Sequence, residues 1–364
     1  MCEKLLFDLI QVSLGRRTCL SRTPSAEEWQ TLYSVSYQQS ILGIAFHGVE
    51  KLSESEQYPP RKLLLSWFRV SEKIKQRNEL IDSRSREMLE MLSETNIHAC
   101  LLKGQGMACY YPLDVRKLRQ PGDIDVYADC SRERIDSFAQ THGTNKISWN
   151  YRHIHLHIWK DTLVELHYRI EYFYNPFKNL KFQQFLRNNK EHLFYAESAF
   201  VAPSLTMNLF YALLHIYNHV LSSRIGLKQV IDYYFLLMNA NGEFGCFNNG
   251  ETVLNVLRQF GLERFTGGMM WLLHEVTGIE RKYMLCDPIE DDGKFILRKI
   301  IMPDNDDKGI SQNYAVKDHD VMSFIIKRSF ILSRKYPSDS LWTPIWYVWH
   351  RCWKVVKRWE KVLQ

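Results

Sequence analysis

The sequence predicts an α+β protein in which a small mixed sheet with helices lies between N-terminal helices and a C-terminal helical domain. Three observations carry that prediction. Residues 61–95 contain neither Gly nor Pro and repeat Leu, Trp, Val, Ile and Met at three- and four-residue spacing. Between 97 and 170 the pattern shortens to brief apolar runs punctuated by glycine, and after Pro203 helical periodicity returns. These changes divide the chain into an N-terminal helical region (1–95), an α/β core (96–202) and a C-terminal helical domain with a basic aromatic tail (203–364).

The elements follow in order. Ser25 with Glu28 three residues later is a capping-box signal, and the stretch from Pro24 to Leu52 reads as two helices. Residues 61–95 read as one long amphipathic helix or two end to end. "IHACLL" (97–102), bounded by Gly104, reads as a buried strand, and a short helix fits Met107 to Tyr111. "DIDVYA" (123–128) is a second strand, and 131–143 is a helix opened by Ser131. Residues 151–170 form two strands around a turn near Lys160 and Asp161. Helices are expected over 204–221, 226–240 and 251–261, with Asn/Gly/Asp-rich loops at 241–250 and 303–313.

Composition narrows the class. The 364 residues are 45% hydrophobic and 24% charged, which is ordinary for a globular protein. The formal charge of +6 sits almost wholly in the tail, where residues 322–364 hold nine Lys/Arg against two acidic residues. Eight scattered cysteines form no C-x-x-C pair, so reduced thiols in a cytoplasm are expected. Glu3 and Asp8 interrupt the apolar N-terminus and no small-residue cleavage site follows, so no signal peptide is read. No segment approaches the ~18 uninterrupted apolar residues of a membrane span.

The chemistry concentrates in one strand. Side chains alternate along a strand, so Asp123 and Asp125 project together while Ile124 and Val126 face the other way. Two carboxylates this close repel unless a cation lies between them, and oxygen ligands with open positions suit Mg²⁺. Glu165, set among apolar residues in "LVELH", is the candidate third ligand, and three carboxylates permit two metals about 3.5–4 Å apart. Ahead of them, Lys103 and Gly104 end a strand in a glycine turn entering a helix, an arrangement that can bind phosphate. Arg116, Lys117 and Arg119, on the loop leading into the aspartates, can add charge toward a polyphosphate.

"LLKGQGMACYYP", "RQPGDIDVYA" and "VELHYRI", followed by the helical "LLHIYNH" and "GLKQVIDYYFLL", resemble the DNA polymerase β-like nucleotidyltransferase superfamily. Within it they resemble the bacterial family of uncharacterised nucleotidyltransferases. The resemblance spans nearly the whole chain and is strongest over 98–170. It implies a polymerase β-like core in which Asp123 and Asp125 hold both Mg²⁺ ions. Glu165 would hold the catalytic metal and help deprotonate a hydroxyl acceptor. Lys103, Gly104, Arg116, Arg119 and His167 would bind the nucleoside triphosphate. Lys103 and Gly104 stand where the superfamily has Gly-Ser, no serine follows Gly104, and 18 residues separate it from Asp123. The implied reaction is attack by a hydroxyl of a small molecule or a protein on the α-phosphorus, releasing pyrophosphate. The alternative is a non-catalytic nucleotide- or metal-binding interaction module. A nucleic-acid enzyme ranks last.

His153, His155 and His157 alternate on one strand face, as zinc ligands or as polar positions of a half-exposed strand, and whether they share Glu165's face depends on register. His215, His219 and Asp232 can line the cleft wall or be satisfied polar groups of the helices. Trp342, Trp346, Trp349 and Trp353 form one helical stripe with Arg351, Lys354, Lys357 and Arg358 around it, and Trp359 follows. Such a helix can lie on a membrane surface or dock its aromatics on the core, and docking is preferred.

Overall fold

The computed structural model describes residues 2–53, 57–143, 148–197, 200–222, 225–301 and 318–362. The loop expected at 303–313 lies outside these residues, as do the side chains of Lys357, Arg358 and Trp359. The N-terminal region holds α1 (Cys2–Ser13), α2 (Ala26–Gln38), α3 (Leu42–Glu50) and α4 (Arg61–Glu94). Ser25 caps α2 as its sequence signal requires: the Ser25 hydroxyl accepts from the Glu28 N–H at 3.2 Å, and the Glu28 carboxylate accepts from the Ser25 N–H at 2.9 Å.

Residues 61–94 form one helix, and its buried stripe explains where it lies. Trp67, Ser71, Ile74, Asn78, Ile81, Ser85, Met88 and Leu92 recur at alternating four- and three-residue steps, so a single face stays covered for the whole length. Trp67 and Ile74 enter the apolar cluster of the helical body, whereas Ile81, Met88 and Leu92 enter the cluster beneath the sheet. At about 1.5–3 kcal/mol for each fully buried large apolar side chain, this stripe ties the two bodies together.

The sheet contains β1 (Ala99–Leu101), β2 (Ile124–Ala128), β3 (Ser148–Trp149), β4 (His153–Trp159) and β5 (Thr162–His167), in the order β1-β2-β5-β4-β3. β2 and β5 run parallel and the other pairs antiparallel, so the sheet is mixed as expected. Short helices α5 (Gln105–Ala108) and α6 (Leu113–Arg116) lie between β1 and β2, and α7 (Arg132–His142), capped by Ser131, follows β2. The short helix expected over 107–111 starts earlier, because Gly104 takes a left-handed φ of 53° and turns the chain at once. Ile124, Val126, Ile154, Leu156, Val164 and Leu166 form the buried apolar face against α4 and α7. The opposite face is polar.

That polar face meets helices. After α8 (Pro176–Asn188) and the hairpin β6 (Tyr195–Glu197) and β7 (Phe200–Ala202) come α9 (Leu205–Ser222), α10 (Leu227–Ala240), α11 (Val253–Gln259), α12 (Glu263–Thr277) and α13 (Glu290–Ile301). α14 (Asp318–Ser333), α15 (Pro337–Ser340) and α16 (Thr343–Val362) end the described chain. One apolar cluster runs from Leu5 to Tyr336, so N- and C-terminal helices share a core. α16 docks on it through its tryptophans: Trp346 stacks on Tyr172 at 4.8 Å, and Tyr151 makes edge contacts with Trp346, Trp349 and Trp353. Among the described residues no helix is long and apolar enough to cross a membrane.

Candidate active site

Strand register builds the site. Asp125 lies opposite Glu165 across the parallel β2–β5 pair, and on the far side of β5 Glu165 faces His155 while His167 faces His153. With side chains alternating every residue, all five project from the same sheet face. Asp123 enters just before β2, which begins one residue later than expected, and it joins them: the carboxylate oxygens of Asp123, Asp125 and Glu165 lie within 4.8 Å of one another. His157 does not join; the ladder shifts register between Leu156 and Trp159, and His157 is exposed.

The two aspartates have opposite electrostatic surroundings. The charge of Asp125, followed by burial, pushes the Asp123 carboxyl up to about 6. Burial would raise Asp125 as well, but the Lys103 ammonium at 2.5 Å and the His167 Nε2–H at 3.0 Å hold it below its ordinary value. Leu102 N–H donates to Asp125 O at 3.0 Å, which carries the β1–β2 ladder one residue past β1 and delivers Lys103 to this position. Glu165 is held down against its burial by His155 at 3.3 Å and His167 at 3.5 Å, with Lys103 at 4.0 Å. Around Asp123 the Lys103 charge offsets its neighbours only in part, so this donor set fits a divalent ion held between hard oxygens.

The cleft above these carboxylates has a volume of about 240 Å³ and is lined by Lys103, Gly104, Arg119, Arg152, Glu165 and groups of α9 and α10. Arg119 is buried, donating through Nε and Nη2 to Asp232 at 2.7 and 2.9 Å, while Tyr111 donates to the same carboxylate at 2.6 Å. Asn78 holds the backbone behind it, donating to the carbonyls of Lys117 and Arg119 at 2.7 and 2.6 Å. Arg119 Nη1 is left buried without a hydrogen-bond partner. Arg116 lies elsewhere: it pairs with Asp82 at 3.4 Å and covers the Phe200 ring, and neither it nor the exposed Lys117 lines the cleft.

His215 and His219 line the far wall, with His215 Nδ1 3.1 Å from Glu171. Burial lowers the proton affinity of both, so they face the cleft as neutral imidazoles. Two cleft residues escape sequence reasoning. Arg152 pairs with Glu171 at 2.7 and 2.8 Å, a contact invisible in a pattern that reads this region as alternating histidines. Lys228 is pushed down to about 8 by burial and then by Arg119. Its signal was available, since Lys228 stands four residues before Asp232 on α10 and so shares its face.

A small mixed sheet with three carboxylates gathered on adjacent parallel strands, roofed by helices, has the layout of a nucleotidyltransferase core. The family described as uncharacterised nucleotidyltransferase matches residues 25–278, and the chain belongs to that family. No curated protein and no solved structure matches the chain.

Proposed function

We propose that this cleft transfers a nucleoside monophosphate from a nucleoside triphosphate to a hydroxyl acceptor, with Mg²⁺ as the resident metal. One observation carries the reading: the convergence of Asp123, Asp125 and Glu165 within 4.8 Å, with Asp123 raised chiefly by the Asp125 charge. Asp123, Asp125 and Glu165 would hold Mg²⁺, whose chemistry there is to neutralise the triphosphate and favour the alkoxide form of the acceptor. Glu165 is suited to ligation rather than to taking the acceptor proton, because its hydrogen-bonded imidazoles hold it in the charged form. Asp123, up at about 6 in the metal-free site, is the more basic carboxylate.

Lys103, Arg119 and Lys228 present cationic nitrogens to the cleft and are placed to bind phosphate oxygens. They replace a grip that α5 supports poorly, since that helix is only four residues long. The acceptor on this reading is a hydroxyl of a small molecule or of a protein side chain. A second reading, a nucleotide-binding module without turnover, draws on the Lys103 ammonium seated on Asp125.

The test combines calorimetry of a non-hydrolysable nucleoside triphosphate, with and without Mg²⁺, and pyrophosphate release across nucleotides and acceptors. Asp123→Asn and Glu165→Gln are expected to abolish Mg²⁺-dependent release while circular dichroism stays unchanged. Wild-type turnover in either variant would overturn the assignment, and tight Mg²⁺-dependent binding with no release would favour the module.

A further inference from the structure

We propose that the imidazole side of Glu165 is a second metal site, in which His153 Nδ1, His167 Nε2 and Glu165 Oε2 hold one first-row transition-metal ion of the zinc class. It shares Glu165 with the carboxylate site, and it stands whether or not nucleotidyl transfer occurs.

The distances are those of a preformed site. His153 Nδ1 and His167 Nε2 each lie 3.5 Å from the same oxygen, Glu165 Oε2, and the three donor atoms all lie within 4.8 Å of one another. With metal–ligand bonds of about 2.0–2.1 Å, neighbouring ligands of a tetrahedral ion stand about 3.3 Å apart. A small inward movement of side chains would bring all three donors to bonding distance and leave the fourth position open. Two imidazoles and one carboxylate are a borderline-soft set that selects zinc-like ions over Mg²⁺, which prefers oxygen alone. Lys103 neutralises Asp125 at 2.5 Å, which leaves Glu165 as the anionic ligand.

Surrounding groups complete the case. Strand pairing fixes the donors: His153 lies opposite His167, and both strands are rigid members of the sheet. His153 Nε2 faces His155 Nε2 at 3.0 Å and the Asn150 amide at 2.9 Å. Arg152 Nε donates to His153 Nδ1 at 3.5 Å, so the ring proton sits on Nε2 and the ion would take the place of that donor. His155, accepting from Nε2–H in place of its contact to Glu165, is then a positioning residue that fixes the tautomer. Asn150 can turn its amide to present oxygen. In the metal-free protein His167 Nε2–H donates to Asp125 at 3.0 Å while Nδ1 is buried without a partner, so metal binding would replace that bond, with the ring proton moved to Nδ1 and the Nε2 lone pair turned to the ion.

The experiment uses the full-length protein, purified without chelator for elemental analysis, then stripped and titrated with Co²⁺ while visible absorption is recorded. One equivalent of zinc and saturable d–d bands are expected. His153→Ala and His167→Gln should abolish the bands, and His155→Ala should weaken Co²⁺ binding by about 10–100-fold. Asp123→Asn should leave them intact. If the wild-type protein takes up neither ion, the proposal is overturned and the cluster is a hydrogen-bonded network only. If Asp123→Asn alone removes the bands, the ion belongs to the carboxylate site and the proposal is equally overturned. Intact cobalt bands with no pyrophosphate release would instead refute only the transferase reading.

Discussion

Asp123→Asn should inactivate the site and yet stabilise the metal-free protein. The folded carboxyl is raised from 3.8 to about 6, first by the Asp125 charge and then by burial. At about 1.4 kcal/mol per unit the full shift corresponds to about 3 kcal/mol. Asp123 opens onto water in the cleft, so screening reduces this to roughly 1–2 kcal/mol. The sign follows from linkage: a raised folded-state value means the folded protein binds the proton more tightly. Its stabilising effect is therefore complete below the unfolded value and lost as pH rises through about 6. Asparagine cannot ionise, so the variant escapes the loss. In chelator at mildly alkaline pH, calorimetry should place its unfolding a few degrees above wild type, and the gap should close as pH falls through the folded value. Added Mg²⁺ should reverse the order, because the wild type alone gains from ion binding. A variant that is less stable than wild type in chelator, or whose advantage is independent of pH, would refute the electrostatic account.

Three further outcomes follow from the same geometry. Lys228, pushed down to about 8 by burial, should lose its charge as pH rises through that value, so triphosphate affinity by calorimetry should fall there in wild type. Lys228→Met should bind weakly at all pH, without that limb. Arg119→Ala leaves the buried Asp232 charge without its ion-pair partner, only Tyr111 still donating to it, and should cost about 3–5 kcal/mol in urea unfolding, much of it recovered when Asp232→Leu is added. Trp346→Ala removes the half-buried ring stacked on Tyr172 and should cost about 2 kcal/mol, less than the ~3–5 kcal/mol of a fully buried tryptophan, with limited proteolysis releasing α16 earlier than in wild type.

What could be read in the sequence was local. The Ser25 capping box, the glycine-free run that became α4 and the D-x-D alternation each express geometry within a few residues, and each has its counterpart in the structure. Pairings distant in sequence were not legible. Whether His153 and His155 share Glu165's face depends on where the β4–β5 turn sets the register, and a one-residue slip would have sent them to the apolar side. Arg116 and Arg119 look alike in the string "RKLR", but Asn78 on α4 holds the backbone at Arg119 while Asp82 on the same helix draws Arg116 away. The hairpin β6–β7 and α8 carried too little periodicity to stand out between the core and the helices.

On the proposed function, the absence of a serine after Gly104 would shift the weight of phosphate recognition onto the helices that roof the cleft. Arg119 lines the cleft with two of its nitrogens held by Asp232 on α10 and Nη1 buried and unpaired, and Lys228 lines the cleft from the same helix. Tyr111, from the segment after α5, closes on the same carboxylate. On the proposed function, the carboxylates belong to the sheet and most of the phosphate-binding cations depend on α10, so a nucleotide bound there would bridge the two. Loosening α10 should therefore weaken nucleotide binding while sparing metal binding, whereas loss of Asp123 should do the reverse to the metal and leave the cations in place. A serine-and-helix grip would tie both functions to the β1–β2 connection; here the Asp232–Arg119 pair couples them across the cleft.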